Sequence, residues 1–309
     1  MINVLFAARP ERWETYETPL RRAFAEAGLE VDLRAEFAPS DVDYIVYAPN
    51  GAVQDFTPYR RCKAVLSLWA GVESIVDNAT LTQPLARLVD QGLTQGMVEW
   101  VSGHVLRHHL GIDRHILGQD GVWRAEVPPL APDRRVTVLG LGALGMACAR
   151  ALADLGFDVS GWSRSPKEAE GVTCLSGAEG LDRALARADI LVLLLPRTAA
   201  TDNIVDARAL GLLPEGAVIL NPGRGQLIDD AALLAALDDG RVGHATLDVF
   251  RTEPLPPEHR FWAHPRVTVT PHIASETRPG SASRVIAENI RRGEAGEAFL
   301  HLVDRDSGY

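Results

Sequence analysis

The chain has 309 residues, 46% of them hydrophobic, with 31 basic and 41 acidic side chains and a net charge of −10 at neutral pH. That length and apolar content support a sizeable core and two domains, and they exclude a disordered chain. A net negative field repels phosphate backbones and anionic lipid headgroups, so neither nucleic acid nor a membrane is expected as a partner.

The start, Met1 to Ala8, has no basic lead and too short an apolar run for a secretory signal. It predicts a first strand and a cytoplasmic protein. An amphipathic segment from about Glu11 to Ala27 follows, then strand-like Val31–Leu33, Tyr44–Tyr47 and Ala64–Leu68. Strands alternating with helical spacers indicate a parallel α/β layer. Beyond Leu68, Trp69-Ala70-Gly71-Val72-Glu73-Ser74-Ile75 predicts a glycine turn and a helix start. The Gly71 and Val72 amides would then face an anion; the alternative is an ordinary tight turn.

A helical pattern from Met97 to about Leu117 carries His104, His108, His109 and His115. His104 and His108 stand at i, i+4, but no cysteine or nearby acid stands at ligand spacing beside them, so no metal is expected and a half-exposed helix face is the default. Cys62, Cys148 and Cys174 are far apart without a C-x-x-C pair; they read as reduced, mostly buried thiols. Gln119 to Arg135, with Gly121, Pro128, Pro129 and Pro132, predicts a loop and a domain boundary. Trp123 within it is an aromatic with no local core, which points to an interface and a homodimer.

A second alternating unit has expected strands Val136–Leu139, Phe157–Trp162, Ile190–Leu195, Ala217–Leu220, His244–Val249 and Val267–Thr270, with helices Leu144–Leu155 and Asp229–Leu237 among the spacers. This is a six-stranded order of the doubly wound kind. Ile190–Leu195 is the longest apolar run and falls far below the ~20 residues of a bilayer crossing. Ser281–Arg292 is helical with no strand to feed. It is expected to cross back onto the amino-terminal unit, leaving a discontinuous substrate domain with the cofactor domain inserted into it.

Val136–Leu139 runs directly into Gly140-Leu141-Gly142-Ala143-Leu144-Gly145, which opens a helix of small residues. Gly140 permits the tight turn, Gly142 lets the backbone approach a pyrophosphate, and Gly145 allows helix to pack on strand, so a dinucleotide is expected there. The end of the next strand sets which one. An acid there would hold the ribose hydroxyls of NAD, but the chain has Ser163-Arg164-Ser165 with Lys167 close by, and Asp158 lies at the other end of the strand. Arg164 suits a 2′-phosphate, so NADP is expected ahead of NAD, the plain alternative being a solvated loop charge.

Downstream come Arg224 within Asn221-Pro222-Gly223-Arg224-Gly225, Glu253 within Thr252-Glu253-Pro254, and His272 within Thr270-Pro271-His272. Taken singly, each would ordinarily be a surface charge or a satisfied polar group. Together they can reduce a ketone. Arg224 offers a planar fork for a carboxylate and a polarised carbonyl, His272 a proton near neutral pH, and Glu253 a partner that orients the imidazole.

Ordered along nearly the whole chain, the segments Leu68–Ile75, Gly140–Gly145, Leu195-Pro196-Arg197-Thr198, Asn221–Gly225, Leu247-Asp248-Val249-Phe250 with Glu253–Pro256, and Pro271-His272 resemble the D-isomer-specific 2-hydroxyacid dehydrogenases. Gly161-Trp162-Ser163-Arg164, Thr277-Arg278-Pro279 and the ending Val303-Asp304-Arg305 to Gly308-Tyr309 are similar to its glyoxylate/hydroxypyruvate reductase A branch. The resemblance implies two doubly wound parallel-sheet α/β domains, a flavodoxin-like substrate domain over 1–98 and 276–309 and a Rossmann domain over 99–275. It also implies an NADPH-preferring, dimeric reductase of glyoxylate and hydroxypyruvate. Arg224, Glu253 and His272 would be catalytic, and Trp69, Gly71, Val72 and Arg278 would meet the substrate. Pro196, Thr198, Pro222 and Asp248 would join the glycine loop and Ser163–Ser165 at the cofactor. Pro222, in place of the usual Ala or Ser, and the bulky Trp69 depart from the family pattern. Rival expectations are a dehydrogenase for a bulkier 2-oxoacid and a non-enzymatic NAD(P)H sensor that binds a protein. A sensor would need only the glycine loop.

Overall fold

The computed structural model describes residues 1–305, so the last residues of the predicted ending, through Gly308-Tyr309, lie outside it. The chain divides into two compact units, one made of Met1–Leu93 and Thr277–Tyr309 and the other of Thr94–Glu276.

The first unit opens with β1 (Ile2–Ala7), α1 (Pro10–Glu26), β2 (Val31–Arg34), β3 (Tyr44–Tyr47), β4 (Ala64–Ser67) and the short β5 (Leu85–Ala86). Next come α2 (Gln91–His109) and α3 (Ile112–Leu117), then β6 (Arg135–Leu139), α4 (Ala143–Asp154), β7 (Asp158–Ser163), β8 (Val172–Ser176) and α5 (Gly177–Ala186). The second unit continues through β9 (Ile190–Leu193), α6 (Ala207–Leu212), β10 (Ala217–Asn221), α7 (Asp230–Asp238), β11 (Val242–Leu247) and β12 (Val267–Val269), and α8 (Pro279–Glu294) returns the chain to the first unit.

In the first unit the pairings among β1–β5 are parallel and the order is β2-β1-β3-β4-β5, the flavodoxin-like arrangement. Pro10 starts α1, where its missing N–H costs nothing, and Tyr16, Leu20, Ala23 and Phe24 recur on one buried face. Leu20 and Phe24 share a core with Ile286 and Ile290 of α8, which is how the carboxyl-terminal helix completes this unit. The expected return of that helix is therefore observed.

In the second unit the order is β12-β11-β10-β9-β6-β7-β8, again parallel throughout, with a core on each face. Counted from β6 this is the Rossmann order extended by one strand. The sheet has seven strands rather than the six read from sequence. The missed strand, β8, is an edge strand in which only Val172 is buried, so it lacks the apolar run that marked the others.

Three other expectations change. The helix from Met97 to Leu117 is two helices, because Gly111 at φ 63° breaks it. Gly71 leads into no helix; the chain makes turns in which the Ile75 and Val76 N–H groups donate to the Val72 carbonyl at 3.0 and 2.9 Å. The division between units falls at 93/94 and 276/277, within a few residues of the expected 98/99 and 275/276, and its first crossing lies inside α2.

Candidate active site

The glycine loop is built by close approach. Gly140 has φ 106°, and a β-carbon on it would lie 2.4 Å from the Leu194 carbonyl oxygen. One on Gly145 would lie 1.7 Å from the Gly140 carbonyl oxygen. Side chains at either position would push α4 off β6. Gly142 differs: it is exposed, caps α4, and nothing stands within 4 Å of where its β-carbon would be. That open backbone at the amino end of a twelve-residue helix, with Ala143 also exposed and Leu144 half-buried, is a cradle suited to a pyrophosphate.

At the end of β7, Ser163 is buried and donates its hydroxyl to the Ser165 carbonyl at 2.8 Å, which turns the chain and leaves Arg164 and Ser165 exposed. Asp158, at the opposite end of the strand, is engaged by Arg187 at 2.5 Å. A cation and hydroxyls, with no acid, thus stand where the ribose of a dinucleotide on the glycine loop would lie. The loop after β9 is held by Thr201, whose hydroxyl donates to the Pro196 carbonyl at 2.7 Å and accepts the Thr198 N–H at 2.9 Å.

Arg224 sits in a turn after β10. The Asn221 side chain donates to the Arg224 carbonyl at 2.9 Å, Pro222 is buried, and the guanidinium, half-buried, donates to the Gly223 carbonyl at 2.7 Å. Gly225 seats this turn on the segment after β11, where an added β-carbon would fall 2.0 Å from the Phe250 carbonyl carbon. Three residues on, Glu253 accepts the Phe250 N–H at 2.9 Å through one oxygen and meets His272 Nδ1 at 2.7 Å through the other.

That pair sets the charge state. The Glu253 hydrogen bond is the main influence on His272 and raises its pKa; burial opposes it, the charges of Glu253 and Asp248 add to it, and Arg224 works against it. Burial would lift Glu253, but the His272 contact, the Phe250 amide and Arg224 together hold it below the usual carboxylate range. Both side chains are over a third exposed or close to it, at 55% and 34%. An exposed ion pair of this kind adds only ~0–1 kcal/mol to stability, so its consequence is orientation and protonation of the ring.

Sequence gave little sign of how the histidine is held. His272 lies at φ 54°, a conformation that costs a non-glycine residue about 1–3 kcal/mol and calls for compensation nearby. Asp248, fully buried, supplies it. Its carboxylate accepts the Thr270 hydroxyl at 2.6 Å and the Ile273 and Ala274 amides at 2.9 Å each, while its carbonyl accepts the His272 N–H at 2.8 Å. Asp248 is thus a structural clamp on the His272 turn.

Within the first unit, the Trp69 side chain is 41% exposed, Gly71 is half-buried and Val72 is buried. The Thr277 hydroxyl donates to the Leu68 carbonyl at 2.9 Å, which brings the start of α8, with exposed Arg278, to the turn after β4.

Of the histidines read on that face, His104 and His108 are half-buried, His109 is buried and His115, on α3, is exposed. His108 Nε2 lies 2.9 Å from the Thr246 hydroxyl, His244 Nε2 lies 2.9 Å from the Thr268 hydroxyl, and the two rings are 4.9 Å apart. Among the described residues no group of three or more His, Cys, Asp or Glu is placed to hold a metal. Cys62 and Cys148 are buried thiols and Cys174 is half-buried.

Residues 103–274 match the model for the D-isomer specific 2-hydroxyacid dehydrogenase NAD binding domain. A glyoxylate/hydroxypyruvate reductase A of Serratia proteamaculans is 41% identical over 257 residues, which is 81% of this chain and 82% of that protein. A D-isomer specific 2-hydroxyacid dehydrogenase of Xanthobacter autotrophicus Py2, solved with NADPH and MES, is 41% identical with a TM-score of 0.92, covering 100% of this chain and 99% of that one. An NADPH-dependent glyoxylate/hydroxypyruvate reductase of Sinorhizobium meliloti, solved with NADP and sulfate, is 36% identical with a TM-score of 0.86 and full coverage of both chains. With the Rossmann sheet, the glycine cradle and the Glu253–His272 pair, these matches make the chain a member of the D-isomer-specific 2-hydroxyacid dehydrogenase family, an NAD(P)-dependent oxidoreductase.

Proposed function

We propose that the protein is an NADPH-preferring reductase of small 2-oxoacids, glyoxylate and hydroxypyruvate, that yields the 2-hydroxyacids. The observation that carries this reading is the 2.7 Å contact between Glu253 and His272, which favours the protonated form of an accessible imidazole beside the Arg224 turn. Arg224 binds the carboxylate and polarises the carbonyl through its planar fork. His272 donates its Nε2 proton to the carbonyl oxygen as negative charge develops there, and Glu253 at Nδ1 fixes the tautomer and stabilises the imidazolium. Trp69, Gly71, Val72 and Arg278 are assigned as substrate-contacting residues of the first unit.

When bound, NADPH supplies hydride to the carbonyl carbon. Gly140, Gly142, Ala143, Leu144 and Gly145 hold its pyrophosphate, Ser163, Arg164 and Ser165 its 2′-phosphate, and Pro196, Thr198, Pro222 and Asp248 the nicotinamide side. The Xanthobacter and Sinorhizobium proteins hold NADPH and NADP, and exposed Arg164 with no acid at the end of β7 supports the same choice here. The deciding experiment is NADPH and NADH oxidation with glyoxylate, hydroxypyruvate, pyruvate and phenylpyruvate. The first two with NADPH should give the highest kcat/KM; a preference for phenylpyruvate overturns the substrate assignment.

Cytoplasmic residence and a homodimer belong to the same proposal. Leu117, Trp123 and Val127 are 85%, 95% and 91% exposed along one stretch of the second unit, which favours burial by a second copy. Light scattering that gives the single-chain mass of 33.5 kDa at micromolar concentration contradicts the dimer.

A further inference from the structure

Arg87 follows β5 at the carboxyl edge of the first unit's sheet, the edge at which open α/β sheets bind ligands. It is pinned from two sides. Its N–H donates to the His301 carbonyl at 3.0 Å, and the Val303 N–H returns to the Leu85 carbonyl at 2.8 Å. On the other side, the Leu88 N–H donates to the Trp69 carbonyl at 3.0 Å, tying the segment to the turn after β4. Leu85 packs in the cluster that holds Val72 and Ile75, whereas Ala86 and Leu88 pack in the opposite one. Alternation along the strand therefore sends Arg87 to the Val72 side.

The guanidinium is half-buried, and burial lowers its affinity for a proton while the Glu73 charge opposes that. His301 also lies near it, and burial, then the Arg87 charge, lower the His301 pKa. Among the described residues it makes no side-chain hydrogen bond or ion pair. A guanidinium has five donors, and one withdrawn from water is ordinarily paired. Arg278, brought to the same turn by the Thr277 bond to Leu68, also makes no side-chain hydrogen bond or ion pair among the described residues.

We propose that Arg87 binds a carboxylate oxyanion at the Trp69–Val72 turn, with Arg278 as an accessory cation, and so selects the acids that this protein accepts. The ligand class is a small carboxylate, favoured where a second acidic group is present. The consequence for turnover rests on the reductase reading above; the binding itself does not.

The test titrates the full chain with sodium oxalate, followed by tryptophan fluorescence and calorimetry, for the wild type, Arg87→Met and Arg87→Lys. Loss of a charge-assisted pair should weaken oxalate roughly 10-fold or more in Arg87→Met, with Arg87→Lys between the two. The KM for 2-oxoacids should rise in parallel, with kcat and NADPH affinity held within about twofold. A wild type that fails to bind oxalate at millimolar concentration overturns the proposal, as does an Arg87→Met affinity within about twofold of wild type. If Arg87→Met does not fold, Arg87→Lys decides: weakened oxalate binding supports the proposal and unchanged binding sinks it. Arg87-dependent oxalate binding without any 2-oxoacid reduction leaves this inference standing and removes the reductase reading instead.

Discussion

The Asp248 carbonyl accepts the His272 N–H at 2.8 Å, and the Asp248 carboxylate accepts the next two amides, those of Ile273 and Ala274, at 2.9 Å each. One buried residue thereby fixes a turn whose histidine sits in the left-handed region. Asp248→Asn keeps the shape but puts an amide donor against one of the donors it now accepts. A buried unsatisfied donor costs about 1–3 kcal/mol, so the variant should unfold at lower urea with an unchanged m-value. Its His272 should also lose a charge that favours protonation. Wild-type stability in this variant would refute the clamp.

The Glu253–His272 pair predicts a pH profile. His272 has a raised pKa, and reduction needs its proton, so the rate should fall as pH rises through that folded value. Glu253→Gln removes the largest cause of the shift and should move this limb to lower pH. His272→Asn should abolish the limb and cost ~10²–10⁴ in kcat. Arg224→Ala should chiefly raise the 2-oxoacid KM and leave NADPH binding intact. A Glu253→Gln profile that does not move assigns the acid elsewhere.

Cofactor choice rests on Arg164, exposed at the end of β7 where no acid stands. Arg164→Asp removes the cation for a 2′-phosphate and restores an acid for ribose hydroxyls, so NADPH KM should rise and NADH become the better substrate. Steady-state kcat/KM with both nucleotides is the check. A wild type faster with NADH would end this assignment.

Why some of this was readable before the structure, and some not, follows from where the information lies. The glycine loop is legible because Gly140 and Gly145 fill positions that backbone contacts deny to any side chain, and that need is local. The central buried strands β6 and β9 are legible as apolar runs. Edge strand β8 and two-residue β5 are not, since pairing rather than composition makes them strands. The break at Gly111 was hidden inside a sustained helical pattern. Glu253 and His272 were each visible, but the positive φ of His272 and the donors collected by Asp248 arise only when segments 20 or more residues apart meet. Arg87 carried no signal at all; an arginine is informative only once its surroundings are known, here burial without a side-chain hydrogen bond or ion pair among the described residues.

The polar seam between α2 and the β11–β12 edge gives a prediction about stability. His108 and His244 stack 4.9 Å apart, each bonded to a threonine hydroxyl, with Arg107 held by Asp113 at 2.8 Å and donating to Thr268 at 3.0 Å. Burial, then the neighbouring positive charges, push His108 down to about 3 and His244 down to about 4, from an ordinary value of 6.5; Asp113 opposes this in both. As pH falls below 6.5 the unfolded chain takes up protons that the folded chain refuses until about 4 and about 3. The stability of the neutral seam is therefore complete above 6.5 and is lost progressively on acidification through that window. The thermal midpoint should drop from pH 7 to pH 5, and the slope should shrink in His108→Gln and shrink further with His244→Gln added. Both glutamines can still bond the threonine hydroxyls, so an unchanged slope in the double variant would mean that other groups drive the acid instability.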